Sequence, residues 1–96
     1  MLIIAGPVYV GPDGRDTFVE GHREIVEQAR EYPGCLDLAI TCDTVDPGRV
    51  NIFEMWESQE HLDTWRGVAP APSSSTPTIL RDEVCKHQVS SSGPPF

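Results

Sequence analysis

The chain has 96 residues, a formal net charge of −8 and a sequence isoelectric point of about 4.6. This length corresponds to one small domain, whose modest core would gain from burial against a partner subunit. The acidic balance argues against binding to nucleic-acid phosphates or to anionic membrane surfaces, because both require clustered basic residues.

Targeting signals and cysteine spacing give little information about function. The longest apolar run, residues 2–5, is too short to span a bilayer, and no basic segment leads into a longer apolar one. We therefore expect a cytoplasmic protein. Cys35, Cys42 and Cys85 form no C-x-x-C pair, so we predict neither a disulfide framework nor a metal site, and we expect small buried thiols.

The first half of the chain predicts a strand, a helix and a second strand. Residues 1–10 are rich in strand-forming side chains, and Pro7, which lacks an N–H group, predicts a bend, a bulge or an edge position. Residues 15–32 predict one helix that ends at Pro33-Gly34, and residues 35–43 alternate apolar and polar side chains as a strand does. The apolar stripe of the helix consists of Phe18, His22, Ile25, Val26 and Ala29.

The second half predicts a hairpin, a short helix, a loop and a last strand. The turn Asp46-Pro47-Gly48 leads into the second strand of the hairpin. These segments are the strand 49–57, the helix 58–66, the Pro- and Ser-rich loop 68–77 and the strand 78–89. We expect one domain over residues 1–89 and a mobile polar tail over residues 90–96.

The predicted order of elements is β-α-β-β-α-β, which is the split βαβ arrangement of a ferredoxin-like α+β fold. Two helices then cover one face of an antiparallel sheet. The other face also needs a cover, and no further segment remains to supply it. We therefore expect a homodimer in which a second copy covers that face and the two sheets close into an α+β barrel.

The most informative segment is Asn-Ile-Phe-Glu-Met-Trp-Glu-Ser-Gln-Glu-His-Leu at residues 51–62. Strand-favouring residues run directly into Ser58, whose hydroxyl can cap the first N–H groups of a helix. Glu60 follows in the first turn, where negative charge suits the helix dipole. A strand, then Glu-x-Trp-Glu-Ser, then a helix resembles the third strand and second helix of the antibiotic biosynthesis monooxygenase family, a group of dimeric α+β barrels.

The resemblance implies an enzyme that oxidises electron-rich aromatics such as anthrones and quinols, without a metal or flavin. The substrate is deprotonated, its anion gives an electron to dioxygen, and the radical pair recombines, which requires a closed apolar cavity and a proton acceptor. We predict a cofactor-independent monooxygenase of a small aromatic, quinol or polyketide-like compound. Two alternatives remain open: an isomerase, lyase or cyclase on the same scaffold, and a non-enzymatic ligand-binding dimer, which the short loop 68–77 favours.

Trp56 and Glu54 are the leading candidates for the site. Trp56 matches the tryptophan of the family's Trp-Glu-Ser motif, which lines the pocket in the polyketide-oxidising relatives. Strand alternation places Ile52 and Glu54 on the same face as Trp56, and a buried carboxylate beside an indole would be suited to proton transfer. The alternatives are a tryptophan that only packs a helix on the sheet and a Glu54 that pairs with an arginine.

The remaining candidates surround this pair. His22 could face the cavity as a base, although a histidine on an apolar helix stripe also suits an ordinary core position. We predict a cavity between helices and sheet in which Trp56, Glu54 and His22 are catalytic. The predicted substrate-binding residues are Phe18, Ile52, Trp65, Tyr9 and Asn51.

Two departures from the family pattern affect these predictions. The polyketide-oxidising relatives carry an asparagine four residues before the tryptophan, whereas Asn51 is five before it and falls on the opposite face unless a bulge restores it. Trp65 matches a tryptophan of the haem-degrading relatives, in which an iron-ligating histidine follows. Residues 69–76 contain no histidine, so we do not expect haem degradation.

Overall fold

The computed structural model describes residues 1–73 and 75–96, and Ser74, in the predicted loop, lies outside the described residues. The elements are the strand β1 (Leu2–Tyr9), a short 3-10 helix (Pro12–Gly14), the helices α1 (Arg15–Glu20) and α2 (Arg23–Arg30), the strands β2 (Cys35–Cys42) and β3 (Arg49–Trp56), the helix α3 (Gln59–Val68), and the strands β4 (Arg81–Asp82) and β5 (Cys85–Gln88). The sheet order is β2-β3-β1, and both β4 and β5 pair with the other side of β1. This arrangement confirms the ferredoxin-like α+β fold. Within the described residues no helix is long and apolar enough to cross a membrane.

The pairing of β1 with β3 determines the two faces of the sheet. Every residue of β1 has a β3 partner, from Leu2 opposite Trp56 to Tyr9 opposite Arg49. Because directly opposed side chains share a face, the even-numbered residues of both strands point together toward the helices. The buried even-numbered side chains of these strands are Leu2, Ile4, Val8, Val50 and Trp56.

Two clusters of buried side chains fill the space between sheet and helices. The first joins the sheet to α2 and α3, and the second joins it to α1. The first comprises Leu2, Ile4, Ala29, Leu38, Trp56, Leu62 and Trp65, and the second Val8, Val10, Phe18 and Val50. Ile40 and Val84 pack against both clusters, so they connect the two halves of the core.

The predicted helix 15–32 is interrupted at Gly21 and His22, which separate α1 from α2. The Gly21 carbonyl accepts a hydrogen bond from the Ser73 N–H at 3.1 Å. In a continuous helix it would instead accept the N–H of the residue four positions later. A side chain at position 21 would collide with the Thr76 hydroxyl. The prediction of one uninterrupted helix was therefore wrong. The loop after α3 packs on Gly21, and a backbone N–H of that loop donates to the Gly21 carbonyl in place of a helical N–H.

The predicted last strand 78–89 is also interrupted. β4 and β5 keep one register along β1, with Val8 opposite Asp82 and Ala5 opposite Cys85, so no residue is inserted between them. The gap falls opposite Pro7, whose carbonyl accepts from Glu83 N–H at 3.0 Å but which has no N–H to return. Pro7 thus lies in a central strand. Because it has no N–H group, the pairing between β1 and the last strand lacks one hydrogen bond at this position. Residues 90–96 lie outside the helices and strands and are exposed.

Polar groups hold the hairpin between β2 and β3. The Asp43 carboxylate accepts hydrogen bonds from the N–H groups of Asp46 at 2.8 Å and Val45 at 3.0 Å, and from the side-chain amide of Asn51 at 2.9 Å. Arg15, the first residue of α1, donates through Nη1 to the carbonyls of Asp43 at 2.9 Å and Asp46 at 2.7 Å. The start of the first helix is therefore fastened to the tip of the hairpin.

We expect Arg15→Met to lower the free energy of unfolding by about 1–2 kcal/mol, because the two hairpin carbonyls lose a charged donor. Urea denaturation measures this difference. The matched control is Arg66→Met, which removes the same charge from an exposed position in the last turn of α3. Equal losses in the two variants would show that Arg15 contributes only its charge.

The hairpin also gives stability a pH dependence. Hydrogen bonds from Asp46 N–H, Asn51 and Val45 N–H lower the pKa of Asp43 from its ordinary value of 3.8 to about 2. A lowered pKa contributes stability that is present above 3.8 and is lost as the pH falls toward 2. We expect the stability difference between the natural protein and Asp43→Asn to shrink through this window in urea titrations, and a constant difference would contradict the assignment.

Candidate functional site

A buried indole and a carboxylate form a hydrogen-bonded pair near the end of β3. Trp56 is fully buried, and its Nε1–H donates to Oε1 of the half-buried Glu54 at 3.0 Å. Alternation along β3 places both side chains on the helix-covered face. The ion pairs among the described residues do not include Glu54. Glu54 is therefore a carboxylate at the helix–sheet interface whose described side-chain partner is an indole.

Trp65 belongs to the same side of the core. It is 5% exposed, and its ring stacks on Trp56 with centroids 6.3 Å apart and planes 26° apart. The Tyr32 ring centroid lies 5.2 Å from that of Trp65. Three aromatic rings thus run from the Glu54 carboxylate to the surface beside α3, and Trp65 packs that helix on the sheet.

His22, Phe18 and Ile52 lie on the other side of the core. The His22 ring lies 4.4 Å from the Phe18 ring, and its Nδ1 is 2.7 Å from the Phe18 carbonyl oxygen. Phe18 is buried in the second cluster, and Ile52 packs against that cluster. His22 therefore packs on Phe18, and Phe18 and Ile52 belong to a different cluster from the one that contains Trp56.

Asn51 and Tyr9 lie on the opposite face of the sheet. The β1–β3 register has no shift at Asn51, so no bulge turns its side chain toward the helices, and its amide bonds Asp43 and Arg49 in the hairpin. The Arg81 guanidinium lies 4.1 Å above the Tyr9 ring. The expectation that Asn51 and Tyr9 line one pocket with Trp56 is thus not met, because strand alternation separates them from it.

Among the described residues, neither Trp56 nor Glu54 lines any of three clefts on the helix side of the molecule. One of about 400 Å³ lies between α1 and the loop after α3, one of about 250 Å³ lies beside α3, and one of about 200 Å³ lies between the first two helices and β2. The predicted residues Trp56, Glu54, Ile52, His22 and Phe18 surround no cleft of this set. Packed side chains occupy the space around Trp56 instead.

The cleft beside β2 is close to the carboxylate along the sheet. Val19, Val26 and Ile40 form its apolar part. Ile40 is opposite Ile52 in the sheet, and the next pair on the same face is Leu38 opposite Glu54. The floor of this cleft therefore lies one residue pair from the Glu54 side chain.

Cys35 lies near this carboxylate, and Arg30 lies near Cys35. Arg30 lines the cleft, and its Nε donates to the Leu38 carbonyl at 2.8 Å. Burial raises the pKa of the Cys35 thiol, the charges of Glu54 and Asp37 raise it further, and Arg30 opposes them. Cys35 is thus held as a neutral thiol. Arg30 is not part of the predicted apolar stripe of this helix, and its only sequence signal is its position one turn after Val26.

Comparison with known proteins identifies the family to which the chain is related. The sequence model of the antibiotic biosynthesis monooxygenase family matches residues 1–70. An uncharacterised protein of Synechocystis is 27% identical over 62 residues, which are 65% of this chain and 42% of that protein. The chain therefore spans less than half the length of this curated relative.

Solved structures agree in fold. A Nitrosomonas europaea protein, provisionally named an antibiotic biosynthesis monooxygenase, is 19% identical with a TM-score of 0.68, covering 95% of this chain and 100% of that one. A Deinococcus radiodurans protein with the same provisional name is 14% identical with a TM-score of 0.72, covering 100% and 99%. The heme-degrader MhuD of Mycobacterium tuberculosis, solved with two hemes in its active site, is 13% identical with a TM-score of 0.70, covering 98% and 100%.

These structural likenesses establish the fold, whereas the sequence match establishes descent. Because the family model covers residues 1–70 of 96, the chain belongs to the antibiotic biosynthesis monooxygenase family.

Proposed function

We propose that the chain is a cofactor-independent monooxygenase of a small aromatic, quinol or polyketide-like compound. The observation that carries the proposal is the Glu54 carboxylate, held by the Trp56 indole N–H at 3.0 Å at the helix–sheet interface. A carboxylate in such surroundings can take a proton from an acidic C–H or O–H group. Family membership supports pairing this proton transfer with dioxygen chemistry.

In the proposed reaction Glu54 accepts a proton from the substrate, and the resulting carbanion or phenolate gives one electron to dioxygen. Recombination of the two radicals forms the carbon–oxygen bond of a peroxide anion, which takes the proton back from Glu54. Cleavage of its O–O bond with loss of water leaves one oxygen atom in the product as a carbonyl. Trp56 keeps Oε1 of Glu54 in place, which leaves the other carboxylate oxygen for the proton. The guanidinium of Arg30 supplies positive charge for the substrate anion.

The substrate would bind in the cleft beside β2. Val19, Val26 and Ile40 offer an apolar wall to a planar ring. Because Trp56 is fully buried and Glu54 half-buried, contact with the carboxylate requires the side chains of the cleft floor, Ile40 first, to move aside. This movement would also exclude water from the reacting anion.

Two other functions each have one observation in their favour. The pair of Glu54 and Trp56 contains only groups that move a proton or donate a hydrogen bond, which would suffice for an isomerase or cyclase. The open cleft of about 400 Å³ between α1 and the loop after α3 favours a ligand-binding dimer without catalysis. Oxygen consumption separates the first proposal from both of these.

The test is oxygen uptake by metal-stripped protein with a panel of anthrones and dihydroxynaphthalenes. We expect Glu54→Gln to reduce the rate by about 100-fold or more, since general-base catalysis contributes at least this much, while the amide oxygen can still accept from Trp56. Glu31→Gln, which removes the same charge from an exposed position, should leave the rate unchanged.

Trp56→Phe is the companion variant, because Trp56→Ala would cost about 3–5 kcal/mol through the cavity it leaves. Full uptake by Glu54→Gln would contradict the assigned base. Substrate proton exchange without oxygen uptake would indicate an isomerase, and tryptophan fluorescence changes without either would indicate a binding protein.

We further propose a homodimer formed through the sheet face that the helices leave open. Ile3 and Ala5 of β1 lie opposite Met55 and Phe53 of β3 on this face, and all four are partly exposed. A second copy would bury this apolar strip and close the two sheets into a barrel. A chain of this size gains proportionally more from such burial than a large domain does.

We expect Phe53→Glu to shift the protein from dimer to monomer in sedimentation equilibrium, because a carboxylate would enter an apolar interface without a partner. The control is Val68→Glu, which places the same charge on a residue of α3 that is already 61% exposed. A monomeric natural protein, or a dimer that survives Phe53→Glu, would refute the proposed interface.

A further inference from the structure

A serine, a histidine and a glutamate lie together at the junction of β3 and α3. Ser58 Oγ is 2.7 Å from His61 Nδ1, and His61 Nε2 is 3.7 Å from Glu57 Oε2. Ser58 occupies the turn between a strand and the helix that follows it. We propose that these three residues form a second catalytic site, which hydrolyses activated esters of short carboxylic acids through Ser58 as nucleophile. This site uses neither Glu54 nor Trp56.

The order of the three groups suits a nucleophile, a base and an orienting acid. With the ring proton on Nε2, the free Nδ1 of His61 can take the hydroxyl proton of Ser58. The Glu57 carboxylate on the Nε2 side favours this tautomer and stabilises the imidazolium that forms. The ring also lies directly against Gly34, where a side chain would collide with it. The backbone of the turn before β2 therefore restricts the position of the base.

The start of α3 supplies donors for the oxyanion. The first N–H groups of a helix have no partner within it. The His61 N–H is satisfied by Ser58 Oγ at 3.2 Å, and the Leu62 N–H, which follows, makes the first regular helical bond, to the Ser58 carbonyl at 3.2 Å. The N–H groups of Gln59 and Glu60 remain beside the nucleophile, at the positive end of the helix dipole.

The adjoining cleft limits the acyl group. Its volume is about 250 Å³, and Tyr32, Pro33, Glu60, His61 and Thr64 line it. The Tyr32 ring and Pro33 provide apolar surface opposite the histidine. A cleft of this volume lies below the usual range for binding sites of drug-sized ligands, so the site accepts short acyl chains.

The reaction proceeds through an acyl-enzyme. Ser58 Oγ forms a bond to the ester carbonyl carbon while its proton passes to His61 Nδ1. The carbon–oxygen bond to the alcohol breaks, and the leaving oxygen takes that proton. Water then attacks the acyl-serine, gives a proton to His61, and the acid leaves as Ser58 recovers its hydrogen.

The experiment must separate this role from helix capping, because Ser58 Oγ also accepts the His61 N–H. Asparagine caps helices about as well as serine does, so Ser58→Asn keeps the cap and removes the nucleophile. The probes are a fluorophosphonate, followed by peptide mass spectrometry, and 4-nitrophenyl acetate. We expect phosphonylation of Ser58, an acetyl-Ser58 burst, and loss of both in Ser58→Asn with its thermal midpoint retained.

His61→Gln should slow both reactions by about 100-fold through loss of the base, whereas Ser73→Ala in the loop after α3 should change neither. Unlabelled Ser58 in the folded natural protein would overturn the proposal. Ester hydrolysis by Ser58→Asn at the natural rate would overturn it as well, since the imidazole alone would then be the reactive group and Ser58 a helix cap. Neither result bears on oxygen uptake at Glu54.

Discussion

The eight antiparallel pairs between β1 and β3 determine which side chains can meet anywhere in this protein. Opposed residues share a face, so the register assigns Trp56 and Glu54 to the helices and Asn51 and Tyr9 to the open side. A slip of one residue would exchange these sets. The hairpin network around Asp43 and the fastening of α1 by Arg15 both act at the end of β3 where this register begins.

The fold could be predicted because its signals are local. The turn at Pro47-Gly48, the cap at Ser58 and the strand alternation around Trp56 each fix one element from neighbouring residues. The interruptions depend on distant contacts. The break at Gly21 requires the Ser73 N–H, and the gap in the last strand requires Pro7 of another strand, so neither is visible within its own segment.

For the candidate site, too, only the part that depends on neighbouring residues could be predicted from the sequence. Alternation was sufficient to pair Glu54 with Trp56, because both lie on one strand. It could not predict that Phe18, with His22 beside it, would pack in a separate cluster, since that depends on how the two halves of the predicted first helix lie on the sheet. The role of Arg30 in the cleft could not be predicted for the same reason, because it depends on the edge position of β2, which leaves the Leu38 carbonyl within reach of this arginine.

The last strand is joined to the sheet mainly by its backbone. All residues of β4 and β5 are exposed, and Val84 between them is the side chain that reaches the core. Backbone hydrogen bonds between strands can form with almost any side chain, whereas a buried position in a strand accepts only a few kinds of side chain. The sequence of this segment is therefore free to diverge while its path is kept. The family's sequence model ends at residue 70, before this strand, whereas structures of low identity superpose on nearly the whole chain.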